Sequence, residues 1–140
     1  MPPPSPYPQA AEWFGWLQIA LTFGAPLLLV AWLATRRPAW TPRRVAVLVA
    51  AAVAVMALID TAGWYLDPDY AGSPRAAVAA GLVTTAPVLA AAAAAWLRGQ
   101  RRPWSRAARV VVPMFVGYAM LVLCLFPALI VFVSLGGDTL

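Results

Sequence analysis

Residues Val110 to Val133, VVVPMFVGYAMLVLCLFPALIVFV, run for 24 positions without one charged side chain. At a helical rise of ~1.5 Å per residue, such a segment reaches across a hydrocarbon core of roughly 30 Å. Three further segments read the same way: Trp13 to Leu33, Val45 to Leu66 and Ala76 to Leu97, each of 21 or 22 residues. Lipid offers the backbone no hydrogen bonds, so only helices and closed barrels cross it. Apolar runs of this length without period-two alternation exclude the barrel. The pattern predicts an all-α integral membrane protein with four transmembrane helices in an up-down bundle. One membrane domain is expected over residues 1–140, with a Pro-rich extracytoplasmic tail over residues 1–11.

Composition points the same way. Hydrophobic residues make up 63% of the 140 and charged residues 11%, against roughly 25% charged in an ordinary soluble domain. A core of this size could not hide so much apolar surface from water. The ten cations are all Arg, and Lys, His and Asn are absent. With the Ala runs, this reads as GC-rich coding and suggests a bacterial source. The head, Met1-Pro-Pro-Pro-Ser-Pro-Tyr-Pro, carries no positive side chain, and no small-residue cleavage site follows the first span, so no secretory signal is expected.

Orientation follows from where the arginines fall. The first turn holds Arg36, Arg37, Arg43 and Arg44, and the third holds Arg98, Arg101, Arg102, Arg106 and Arg109. The second turn has only Arg75, so nine of ten cations lie on one side, which is expected to be cytoplasmic. The acids Glu12, Asp60, Asp67, Asp69 and Asp138 all fall in the opposite half or beyond it. Trp13, Trp16, Trp64 and Tyr65 mark the outer interface, and Trp32 and Trp96 the inner one. Both termini are thus expected outside a plasma membrane.

The two arginine turns echo each other. Ala31-Trp32-Leu33, Arg36-Arg37-Pro38, Trp40-Thr41 and Arg44-Val45 return as Ala95-Trp96-Leu97, Arg101-Arg102-Pro103, Trp104-Ser105 and Arg109-Val110. Two readings stand: duplication of a helical hairpin, or recurrence of Trp, Arg and Pro wherever a helix leaves a membrane. Span three is unusual in composition, with Ala or Gly at more than half of its positions. Small residues four apart, Ala77, Gly81 and Thr85 and also Ala80 and Thr84, let another backbone approach closely. This helix is expected to be central.

Asp60 asks for an explanation. It lies six residues inside the outer end of span two, or ~9 Å deep at 1.5 Å per residue. A carboxylate at the centre of a span costs at least ~2.5 kcal/mol, less near the interface, so it has a partner or a task. Gln18, Thr84 and Thr85 lie at similar depth and form the expected polar site. Pro26, Pro87 and Pro127 free the carbonyls of Thr22, Val83 and Leu123 at the same level. One reading is a proton or cation site. The other is a shallow, wetted carboxylate that fixes packing or pairs with Arg75; depth favours this one, and no second acid forms a relay.

Other chemistry is thinly represented. Without His there is no imidazole base or His-ligated metal, and the single cysteine, Cys124, excludes a Cys-only cluster. No Gly-rich phosphate loop or Gly-x-Ser-x-Gly elbow occurs. The arginines sit in short turns, not on a groove-sized surface, so nucleic acid is not an expected partner. No cofactor or metal is expected. Arg36, Arg37, Arg43, Arg44, Arg101 and Arg102 are expected to touch anionic lipid headgroups, although a topology signal explains them more simply. The expectation is a non-catalytic membrane protein acting as an accessory subunit or homo-oligomeric component. A small transporter or channel using Asp60 is the alternative, and a lipid-acting enzyme comes third.

Overall fold

The chain forms α1 (Pro8–Thr35), α2 (Pro42–Leu66), α3 (Pro74–Gln100) and α4 (Arg106–Ser134). This structure, a computed structural model, describes residues 8–35, 40–66 and 74–135. No strand occurs among the described residues. All four helices are long and apolar enough to cross a membrane. At ~1.5 Å per residue they measure ~38–44 Å, more than the hydrocarbon core needs.

Each helix outruns its apolar span by up to about a turn, and the reason lies in the local signals at its ends. Pro8, Pro42 and Pro74 are the first residues of α1, α2 and α3, where a missing N–H costs nothing and φ is preset. Pro8 corrects one expectation: residues 8–11, assigned to the Pro-rich tail, are the first turn of α1. The remaining tail, residues 1–7, lies outside the described residues. Thr41 Oγ1 accepts from Arg44 N at 3.3 Å and Ser105 Oγ from Ala108 N at 3.2 Å. These bonds satisfy orphan donors at the starts of α2 and α4. The echoed Trp-Thr and Trp-Ser pairs are therefore both helix-start signals. Their tryptophans differ: Trp40 Nε1 donates to Leu33 O at 3.1 Å, whereas Trp104 lies against Gly99. At the C-terminal ends, Thr35 Oγ1 donates to Ala31 O at 2.9 Å and Ser134 Oγ to Ile130 O at 2.7 Å.

The helices pack as a bundle. Contact is densest between α3 and α4, then between α2 and α3, and α1 rests more loosely on the other three. Among the described residues no Cα of α2 comes within 8 Å of one of α4, so α1 and α3 form the short diagonal. α3 is also the most buried helix: 39% of its apolar window is buried, against 22%, 11% and 22% for α1, α2 and α4. Alanine gains little from contact with lipid, but it lets neighbouring backbones close in. Val30, Leu33, Val45 and Ala92 are almost fully buried and form one core cluster with Leu29, Leu89, Ala93 and Trp96. That cluster lies toward the arginine-rich end, next to Trp40 and Val110. Farther along, α1 meets α4 at Gly117, where an added Cβ would stand 2.8 Å from Pro26 Cβ and 3.2 Å from Ala92 Cβ. The outside is the reverse of a soluble protein. Trp13, Trp16, Phe115, Val122 and Phe126 are each well over half exposed.

Candidate intramembrane polar site

Asp60 occupies the inward face of α2. Met56 four residues before it is buried, and Gly63 three residues after it borders the same cavity, the spacing of a single helical face. Gln18 of α1 reaches across and its Nε2 donates to Asp60 Oδ1 at 2.9 Å. A carboxylate only accepts, so the nitrogen of the amide has to be the end facing it. Two glycines make room for this pair. A Cβ on Gly81 of α3 would collide with the Asp60 carboxylate, and one on Gly63 would stand 3.1 Å from both polar atoms of the Gln18 amide. The close approach of helices here is therefore the condition for the hydrogen bond.

Around the pair lies a half-open cavity of about 400 Å³. α1 supplies Gln18 and Thr22, one turn apart; α3 supplies Ala77, Ala80, Gly81, Thr84 and Thr85; α4 closes one side with Phe132. Thr84 and Thr85 are 7% and 5% exposed. The Thr84 hydroxyl donates to Ala80 O at 2.9 Å, which leaves its oxygen able to accept. The volume falls within the range of small-ligand pockets, ~300–1,000 Å³.

The four residues singled out by depth, Gln18, Asp60, Thr84 and Thr85, thus line one cavity. Thr22, whose carbonyl the sequence places in the same polar layer, also lines it, whereas Gly63, Gly81 and Phe132 were not expected there. Gly81 was legible as part of the small-residue stripe, but its task of clearing space for a carboxylate depends on the register between α2 and α3. The alternative partner, Arg75, is exposed and makes no ion pair with Asp60. Of the arginines expected at headgroups, Arg43 and Arg44 lie exposed in the first turn of α2, and Arg101 and Arg102 lie exposed in the turn after α3. Arg36 and Arg37 lie outside the described residues. Cys124 is a buried free thiol on α4.

Chemically, the cavity offers one carboxyl group and several oxygen acceptors to whatever enters. Among the described residues no three His, Cys, Asp or Glu side chains gather. No protein-family model, curated protein or solved structure matches the chain.

Proposed function

We propose that the chain crosses a bacterial plasma membrane four times, up and down, with its arginine turns in the cytoplasm and both ends outside. We further propose that it is a small non-catalytic transporter or channel whose site for a proton or small monovalent cation is the cavity around Asp60. The topology rests on the distribution of arginine and on apolar outer faces that would be unfavourable in water by ~25 cal/mol per Å². Cysteine labelling at Arg43 or Arg106 from outside intact cells would contradict it.

The observation that carries the transport reading is the convergence of Asp60, Gln18, Thr84 and Thr85 on open space. Here a single hydrogen bond to the carboxylate is worth ~1.5–3 kcal/mol, about enough to offset the ~2.5 kcal/mol or more of holding a charge inside a span. The cavity beside Asp60 is large enough to seat a small cation against the carboxyl group. In proteoliposomes, uptake of sodium or tetramethylammonium, or proton flux onto a trapped pH dye, is expected to be saturable. Asp60→Asn is expected to lower it at least tenfold with helix content unchanged. Equal flux through both proteins rules the site out.

A second reading is favoured by α2. It is the least buried helix, and Val47, Val55 and Leu58 are exposed along it, away from the inward face that carries Met56 and Asp60. In an accessory subunit or homo-oligomer that stripe would meet another membrane helix. Mass measurement on the detergent-extracted particle separates the two cases; a strict monomer counts against assembly.

A further inference from the structure

At the opposite end of α3 from Asp60, a second cavity of about 400 Å³ opens between α3 and α4. One wall is Ala91, Ala94 and Ala95, and the other is Val112 and Val116. On α3 the positions 91, 94, 95 and 98 follow the spacing of one face, so Arg98 stands at the head of the alanine wall. Arg102, in the turn beyond, and Trp104 complete the head. The Arg102 guanidinium carbon lies 5.9 Å from the Trp104 ring centroid, within reach of the ring's negative face. The ring itself is seated on Gly99, where an added Cβ would come within 3.1 Å of it.

The charges of this cavity are unbalanced. The sequence has no acid between Asp69 and Asp138, so neither α3 nor α4 provides a counter-charge for Arg98 or Arg102, and both are exposed. An anion from outside the chain fits that head. The apolar part decides which anion. From Arg98 down to Ala91 the slot runs ~10 Å along the helix at 1.5 Å per residue. Free phosphate has no use for such a slot, whereas an acyl chain does.

We propose that this groove is a binding site for one anionic phospholipid. Its phosphate lies between Arg98 and Arg102, its glycerol region rests against Trp104, and one acyl chain lies between the alanine and valine walls. The site rests on the membrane reading of the chain but is independent of the Asp60 cavity. It adds Arg98 to the arginines expected at headgroups, brings in Trp104 beside them, and gives Arg102 an apolar slot beneath it.

Native mass spectrometry of the full chain in detergent, titrated with phosphatidylglycerol or phosphatidylcholine, tests this directly. One phosphatidylglycerol is expected to be retained in preference to phosphatidylcholine, with excess inorganic phosphate unable to displace it. At ~1 kcal/mol per arginine, Arg98→Gln with Arg102→Gln is expected to weaken retention about thirtyfold. The matched pair Arg43→Gln with Arg44→Gln is expected to leave it unchanged, as is Asp60→Asn, which separates this site from the transport reading. Ala94→Leu, at an exposed position on the alanine wall, is expected to displace the lipid with both arginines intact. Equal loss in the Arg43 and Arg44 variant, displacement by phosphate, or full retention in Ala94→Leu each overturns the proposal.

Discussion

Gly81→Ala is expected to leave the bundle folded and to lower cation or proton flux at least tenfold. The added methyl takes the space occupied by the Asp60 carboxylate. Asp60 is the short, rotatable member of the clash, so the carboxylate swings aside and the α2–α3 contact is kept. Rotation breaks the 2.9 Å bond from Gln18, a loss of ~1.5–3 kcal/mol for a hydrogen bond to a charged group. Against this, alanine is ~1 kcal/mol better than glycine inside a helix. The net stability change is therefore about 0.5–2 kcal/mol, whereas the geometry of the site is lost. Flux assays alongside thermal unfolding in detergent read the two effects separately. Wild-type flux in Gly81→Ala would show that the position of the carboxylate is irrelevant to transport.

Gly117→Leu is expected to give the largest loss of stability of any single substitution considered. Even a Cβ at this position meets Pro26 Cβ at 2.8 Å and Ala92 Cβ at 3.2 Å. Neither neighbour can turn away, since one is a ring closed onto its own backbone and the other is a methyl fixed to a helix. α1 and α4 must then separate, and the cost of overpacking is ~1–3 kcal/mol or more, growing with the size of the side chain. Gly15→Ala is the matched control, because nothing lies within 4 Å of a Cβ placed there. That variant is expected to be neutral or stabilised by up to ~1 kcal/mol. Denaturation of the purified variants in one detergent compares them, and an unchanged midpoint for Gly117→Leu would mean that the α1–α4 crossing is not close-packed.

These two glycines show where reading the chain stops being sufficient. Gly81 and Gly117 sit in apolar stretches where a small residue signals close approach, but it does not say what approaches. One accommodates a carboxylate and the other a proline ring, and the difference is set by helix register. The polar residues were more legible. Lipid penalises a carboxylate so strongly that Asp60 stands out from its neighbours, and depth along each span is a simple count. Gln18, Thr84 and Thr85 could be matched to it by that count alone. Which of them bonds to it could not, because rotation about the helix axis is not encoded in depth. The second cavity was less legible still. Arg98 looked like one more cation among nine, and only the pairing of its α3 face with Val112 and Val116 distinguishes it.

The existence of four long apolar helices, their approximate ends and the level of the polar layer follow from the sequence by itself. Hydrophobic length and charge are local quantities, and a bilayer-length helix needs no tertiary partner to satisfy its backbone. Tertiary structure alone decided that α2 and α4 stay apart, that α1 crosses α4 at Pro26 and Gly117, and that a cavity lies beside Asp60. Those outcomes depend on how small and large side chains interlock between helices, a sum over contacts distant in sequence that no single segment carries.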